Sequence, residues 1–526
     1  MHGYELLLGN FLEHAAKWHG SAEVITGSGA GNPPARISYQ ALYENSRKLS
    51  GALLALGLKQ GERIATLAWN SHEHMECWYA AVGIGVSYHT LNPRIGVAQL
   101  VEMVRRAGDR LLAASADQLD VAVQIVQECR CIEHLVVVDD PDGGRTTPPE
   151  DIGVPVWRLA DLREGSSMPT PWGGFAEGSE SGLCFTSGTI GAPKGVVYSH
   201  RAIYLMTLTL LQTDVLGIGS ADCVLAVVPM FHANAWGLPY AAPATGARLV
   251  LPGQHHDGAS LAALIAQERV TVALGVPTVW LGLIDHLDAV GGELPSLQRV
   301  VLGGSAIPQA LMDRIEQRLG VCAQTSWGMT ELAPLGTLMP ASAPIRSARL
   351  SGRPPAGVDL RLADADGEPL AGQSGAEGHL YVRSASMADR YLGDAEAFTD
   401  AQGWFATGDL AVIDDDGTLA ITGRAKDLIK SGGEWINPGA MEAIIGALPA
   451  IGLVAVVGRP HPKWTERPVL VIELRAGAAV SDAEIVGALE GAVPRWWLPD
   501  EIVRVGRMPL ALTGKIDKQQ LRRRFC

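Results

Sequence analysis

Residues 186–195 read Thr-Ser-Gly-Thr-Ile-Gly-Ala-Pro-Lys-Gly, three glycines and three hydroxyl side chains closing on a lysine. Glycines let backbone N–H groups approach anionic oxygens closely and Lys194 adds a cation, so the segment suits a polyphosphate. It departs from the loop Gly-x-x-x-x-Gly-Lys-[Ser/Thr], because Pro193 stands before the lysine and Gly195 after it. Composition alone fits an ordinary surface loop equally well. A second glycine-rich stretch, Gly27-Ser28-Gly29-Ala30-Gly31, lacks the dinucleotide spacing and reads as a hairpin turn. Cys129-Arg130-Cys131 is too tightly spaced for the usual zinc pairings and reads as helix-end thiols. Asp414, Asp415 and Asp416 before Gly417 read as a solvated turn rather than a metal site.

The glycine-rich loop is followed by Pro229-Met230-Phe231-His232, Gly303-Gly304-Ser305-Ala306, Trp327-Gly328-Met329-Thr330-Glu331 and Thr407-Gly408-Asp409. Residues 423–434 then read Gly-Arg-Ala-Lys-Asp-Leu-Ile-Lys-Ser-Gly-Gly-Glu, and Thr513-Gly514-Lys515-Ile516 closes the series. In this order and spacing, from about residue 38 to Lys515, the chain resembles the adenylate-forming superfamily of acyl-CoA synthetases, peptide-synthetase adenylation domains and beetle luciferases.

The chemistry this resemblance implies is attack of a carboxylate on the α-phosphorus of ATP with loss of pyrophosphate, which demands neutralising and aligning two polyanions. The resemblance places Thr186, Ser187, Gly188, Thr189, Gly191 and Lys194 on the β- and γ-phosphates. It sets Thr186 and Glu331 around a Mg²⁺ ion, whose hard oxygen ligands they supply. Gly304, Ser305, Ala306 and Trp327 would edge and sandwich the adenine, with Gly328 and Thr330 in the same nucleotide-binding turn. Asp409 corresponds to the carboxylate that takes both ribose hydroxyls, with Arg424 beside it. Lys515 would bridge the incoming acid and the nucleotide.

A second half-reaction is implied, in which the C-terminal domain rotates about Lys426 and withdraws Lys515. Lys430, Gly432, Gly433 and Trp435 then face coenzyme A, the glycine pair leaving a path for the pantetheine arm. Outside the resemblance, Glu331 reads as a surface acid, Trp327 as core, the glycine pair as a tight turn and Lys515 as one of 42 basic residues. His232 reads either as an imidazole beside the carboxylate and thiol path or as a satisfied core histidine.

Residues 229–239, 430–436 and 461–468 look like medium- and long-chain fatty-acyl-CoA synthetases and the relatives that activate methylthiopropionate. Trp236 matches a tryptophan that gates the acyl tunnel in long-chain members; a buried packing tryptophan is the rival reading. Trp236, Gly237, Val276, Pro277, Thr278, Gly328, Met329 and Leu335 form the expected acyl wall. All are neutral, so the substrate reads as an unsubstituted apolar acid. One departure stands out: Ile190 occupies a position where the family usually has a second threonine, which predicts altered phosphate contacts.

These residues need a large scaffold. The chain has 526 residues, 47% apolar and 19% charged, a globular composition sufficient for roughly three folding units. Its 42 basic and 56 acidic residues give a formal charge of -14, which offers no broad basic surface to nucleic acid or anionic lipid. Seven scattered cysteines read as reduced thiols of a cytoplasmic protein, and neither a signal peptide nor a membrane-length apolar run is expected.

Apolar runs at 63–68, 134–138, 183–185, 224–228, 248–251, 270–274 and 299–302 alternate with helical stretches, one of them capped by Ser38. From Val358 the pattern turns to short alternating runs with hairpin signals at 364–367 and 414–417. Asn437-Pro438 reads as a helix start. The expected fold is α/β: a large multi-subdomain N-terminal domain of layered β-sheets and helices over 1–423, a hinge at 424–428, and a small mobile α+β domain over 429–526.

Three functions are compatible with this reading. The first is an acyl-CoA synthetase using ATP, Mg²⁺ and coenzyme A on a medium- or long-chain or similar apolar acid, with a homodimer left open. The second is an adenylating enzyme serving a carrier protein in trans, since the chain ends shortly past Lys515. The third is a nucleotide-binding homologue without catalysis.

Overall fold

The computed structural model describes residues 3–138, 152–165, 169–186, 193–305, 307–388, 390–475, 477–511 and 516–526. Among these, strands of the N-terminal region form two large sheets. In the first the order is Val156–Arg158, His134–Val138, Leu111–Ser115, Arg63–Leu67, Ser87–Thr90, Glu180–Phe185 and Gly195–Ser199, parallel except for the last pair. In the second it runs from Leu335–Leu338 through Cys322–Gly328, Arg299–Leu302, Val272–Gly275, Cys223–Ala226, Arg248–Leu251 and Glu23–Thr26 to Ala35–Ser38.

Side-chain alternation along these strands explains why both sheets are buried on two faces. Val136 and Val138 pack into one apolar cluster and Leu135 and Val137 into another; Val224 and Ala226 likewise part from Cys223 and Leu225. Because successive residues serve opposite faces, strands such as His134–Val138 and Cys223–Ala226 read as continuous apolar runs. Helices Tyr39–Ala55, His72–Gly83 and Leu238–Thr245 fill the space between the sheets, while Val97–Ala107 and Leu119–Glu128 cover one outer face and Gly258–Glu268, Pro277–Val290 and Gln309–Leu319 the other.

The expected strands recur with boundary shifts of up to three residues. Ser38 caps its helix by accepting a hydrogen bond from the Ala41 N–H at 3.2 Å. The glycine stretch at 27–31 joins two antiparallel strands. Strands Val358–Ala363, Glu377–Ser384, Phe405–Ile413 and Leu419–Arg424 form an antiparallel sheet, with hairpin turns at 364–367 and 414–417. Asp416 is drawn into an ion pair with Arg353.

The C-terminal region has its own core around Ile429, Met441, Val456, Leu470 and Ile485. Asn437 caps helix Pro438–Gly446, accepting from the Gly439 N–H at 3.0 Å, with proline at the first helical position. That helix start lies against the N-terminal sheet: a Cβ on Gly439 would fall 2.3 Å from the Thr422 carbonyl oxygen. Asn437 Nδ2 donates to Glu377 Oε1 at 3.1 Å across the junction.

Candidate active site

In open parallel sheets, ligands bind beyond the carboxyl ends of the strands, where loops splay apart. Thr186 follows the strand ending at Phe185, the 231–237 segment follows Cys223–Ala226, Val276 follows Val272–Gly275 and Gly303 follows Arg299–Leu302. These loops converge on a cavity of about 1730 Å³ that continues to Asp409, Arg424 and the C-terminal region.

At the Thr186 end of the cavity, the hairpin closes on itself. The Thr186 N–H donates to the Lys194 carbonyl at 2.8 Å, and the Lys194 N–H to Thr186 Oγ1 at 3.3 Å. Both residues line the cavity. Ser187, Gly188, Thr189, Ile190 and Gly191, and likewise Ala306 and Lys515, lie outside the described residues.

Arg106, at the end of helix Val97–Ala107, spans both stems of this loop: its guanidinium lies 5.4 Å from the Phe185 ring centre and donates to the Pro193 carbonyl at 2.7 Å. Arg106→Ala should therefore raise the KM for ATP about fivefold without changing the KM for the acid, because it loosens the loop without touching the acyl wall. Steady-state kinetics with each substrate varied in turn checks this.

Glu331 is buried at 7% exposure. Its Oε1 accepts from Tyr391 Oη at 2.9 Å, and the turn that carries it is tied down by Tyr198 Oη donating to the Thr330 carbonyl at 2.7 Å. No ion pair joins Glu331 to a cation among the described residues, and no cluster of three or more His, Cys, Asp or Glu side chains is present there. One unneutralised carboxylate near a hydroxyl fits an ion such as Mg²⁺, which is commonly held by one or two carboxylates together with substrate phosphates.

Asp409 is 1% exposed and receives Trp327 Nε1–H on Oδ2 at 2.8 Å and Arg424 Nε–H on Oδ1 at 2.6 Å. The two charged residues face each other because Asp409 and Arg424 are register partners on adjacent antiparallel strands. The Trp327 ring lies against Gly336, where a Cβ would sit 2.2 Å from ring carbon Cζ3. Gly304, with φ of +82°, and Ser305 also line the cavity.

The apolar wall is held by an unusual turn. Asn234, Ala235 and Trp236 have φ of 57°, 50° and 52°, a left-handed turn of non-glycine residues at a cost of about 1–2 kcal/mol each. It seats the Trp236 indole on Gly303, where a Cβ would lie 2.9 Å from the ring. His232, Trp236, Pro277, Thr278, Gly328, Met329 and Leu335 line the cavity. Val276 and Gly237 do not: the Val276 Cγ1 backs onto Gly304, 3.4 Å from where a Cβ would be, and a Cβ on Gly237 would sit 2.7 Å from Leu210 Cδ1.

Asn70 was not picked out from the sequence. This buried side chain donates from Nδ2 to the Ala226 and Val228 carbonyls at 3.0 and 2.9 Å and accepts from the Met230 N–H at 2.7 Å, fixing the segment that leads to His232. Its signal was a lone amide directly beyond a buried apolar strand. Asn70→Ala leaves three backbone groups without those partners and should cost about 3 kcal/mol in denaturant unfolding, with a loss of activity at saturating ATP.

On the C-terminal side, Lys426, Leu510, Ala511, Ile516 and Lys518 line the cavity, whereas Lys430, Gly432, Gly433 and Trp435 do not. Gly432 and Gly433, at φ of 63° and 94°, form the exposed turn between Ile429–Ser431 and Glu434–Ile436. In this arrangement the region flanking residue 515 faces the cavity and the glycine pair faces solvent.

The model of the family described as AMP-binding enzyme matches residues 11–392, and that of the AMP-binding enzyme C-terminal domain matches residues 440–515. The chain belongs to the AMP-binding enzyme family. This AMP-binding enzyme is 40% identical over 533 aligned positions to a 3-methylmercaptopropionyl-CoA ligase of Ruegeria lacuscaerulensis, with 99% of this chain and 97% of the relative covered. It is 38% identical to a medium-chain-fatty-acid–CoA ligase of Ectopseudomonas oleovorans, with 99% and 96% covered. The crystal structure of an anthranilate CoA ligase with anthranoyl-AMP shares the fold at a TM-score of 0.88 and 24% identity, covering 99% of this chain and 97% of that one. The expected α/β architecture, with a large layered N-terminal part and a smaller C-terminal one, is thereby established.

Proposed function

We propose that this AMP-binding enzyme is an acyl-CoA synthetase. A carboxylate attacks the α-phosphorus of ATP, giving acyl-AMP and pyrophosphate; the thiol of coenzyme A then attacks the acyl carbonyl, expelling AMP and giving acyl-CoA. The observation that carries this reading is a single cavity that joins Thr186 and Lys194, Glu331, and the Asp409–Arg424 pair to an apolar wall.

Within it, Lys194 and the glycine-rich loop neutralise the β- and γ-phosphates. Asp409 accepts the ribose hydroxyls, and Trp327, Gly304 and Ser305 border the adenine. Thr186 and Glu331 hold Mg²⁺, which supplies charge neutralisation on the phosphate oxygens when bound. His232 and Trp236 face the acid, and Lys515 bridges acid and nucleotide in adenylation. Rotation of residues 429–526 about a hinge at 424–428 exchanges Lys515 for the Lys430–Gly432–Gly433–Trp435 face, to which coenzyme A binds.

The acid is a medium- or long-chain or similarly apolar one. The wall offers Trp236, Leu274, Pro277, Val301, Leu335 and Leu338, and the charged pair Asp285–Arg314 farther along the lining is mutually neutralised at 2.7 Å. Pyrophosphate release across short, medium, long and aryl acids, with and without coenzyme A, tests the proposal. Release should depend on an apolar acid and on Mg²⁺, EDTA abolishing it, and thioester should form only with coenzyme A. ATP binding without acid-dependent pyrophosphate release would instead identify a non-catalytic homologue.

A further inference from the structure

Lys194 and Glu331 meet the same tyrosine, one at its ring face and the other at its hydroxyl. Tyr391 donates from Oη to Glu331 Oε1 at 2.9 Å, and the Lys194 ammonium lies 4.5 Å from the centre of the same ring. No direct ion pair joins the lysine to the glutamate among the described residues. We propose that Tyr391 is a positioning residue that separates these two opposite charges and aims the Glu331 carboxylate at the metal ion accompanying ATP.

The argument is one of competing partners. An ammonium and a carboxylate on facing loops would otherwise pair, and a closed pair spends its charges on itself rather than on phosphates and a cation. The ring face attracts the ammonium through its quadrupole and holds it short of the carboxylate. The hydroxyl takes one carboxylate oxygen and leaves the other for the ion, as a hydrogen-bonded neighbour orients a metal-binding carboxylate.

The ring is itself fixed. Tyr391 forms an isolated antiparallel bridge with Val196, and the Leu392 N–H donates to the Gly195 carbonyl at 2.7 Å, so the segment is stitched to the strand leaving the phosphate loop. Phe398 packs against it with ring centres 5.0 Å apart. Any displacement of the loop base therefore carries Tyr391, Lys194 and Glu331 together.

The inference rests on the reading of the cavity as an ATP site, and a binding experiment separates the two. Titration calorimetry of ATP, with and without Mg²⁺, compares wild type with Tyr391→Phe and Tyr391→Leu. Phenylalanine keeps the ring under Lys194, so metal-free ATP should bind within about twofold of wild type, while the Mg²⁺ concentration that half-saturates the ATP-bound protein rises about tenfold. Leucine removes the ring as well and should also weaken metal-free ATP by a few-fold. Unchanged Mg²⁺ half-saturation in Tyr391→Phe overturns the proposal. So does a parallel fall in metal-free ATP affinity in that variant, which would mark a merely structural side chain. Wild-type protein that binds MgATP yet makes no thioester from any acid would sink the synthetase reading and leave this one standing.

Discussion

Asp409→Ala is expected to raise the KM for ATP by about two to four orders of magnitude, because in the proposed site two hydrogen bonds from ribose hydroxyls to a charged acceptor are lost at about 1.5–3 kcal/mol each. The effect on folding should be smaller, about 2 kcal/mol. Arg424 is 41% exposed and can turn to water, whereas the Trp327 indole N–H, in a side chain only 7% exposed, loses its acceptor. Asp409→Asn is no milder control. Both carboxylate oxygens already accept from donors, so an amide must point its NH₂ at either the indole or the guanidinium. Pyrophosphate exchange as a function of ATP, with a thermal unfolding midpoint for each variant, resolves the two losses. A KM within threefold of wild type would remove Asp409 from the ribose site.

This pairing was half visible in the sequence. The Thr407-Gly408-Asp409 and Arg424 positions could be named from motif order, and their contact follows from a hairpin turn that the acidic run at 414–417 announced. Trp327 joining them could not be foreseen as a hydrogen-bond partner, since it comes from a different sheet 82 residues away. Tyr391 and Asn70 were beyond local reasoning for the same cause: their bonds to Glu331 and Met230 span 60 and 160 positions. No periodicity encodes such contacts.

The layered core shows the opposite limit. Helix His72–Gly83 contains Glu73, His74 and Glu76, yet all three are buried. The sequence pattern gives it no clean apolar stripe because it has no solvent face; it lies between two sheets. Its polar groups find distant partners instead, His74 sharing a hydrogen bond with Thr66 at 2.8 Å and Glu76 pairing with Arg163 at 3.3 Å. Parallel strands such as His134–Val138 and Arg299–Leu302, by contrast, were legible because burial on both faces leaves an unbroken apolar run, whereas Ser87–Thr90 and Cys322–Gly328, with polar residues in the run, were not.

Gly433→Phe should separate the two half-reactions. A Cβ at Gly433 would meet nothing within 4 Å, so the phenyl ring projects into open space and the folding cost is that of φ at +94°, about 1–2 kcal/mol. Gly432 is the poorer site for the test, because a Cβ there would lie 2.8 Å from the Trp464 ring and the substitution would first disturb the packing of that indole. With the glycine pair facing solvent and the cavity closed instead by Leu510, Ala511 and Ile516, adenylation has no use for position 433 and should stay within about twofold of wild type. Thioester formation from pre-made acyl-AMP and coenzyme A should fall by about a hundredfold, since a bulky ring on the proposed pantetheine path displaces the thiol from attacking distance. Rapid-quench measurement of each step decides it. An intact thioester step would move the coenzyme A path off this turn, and an equal loss of both steps would mean that residues 429–526 do not alternate between two faces.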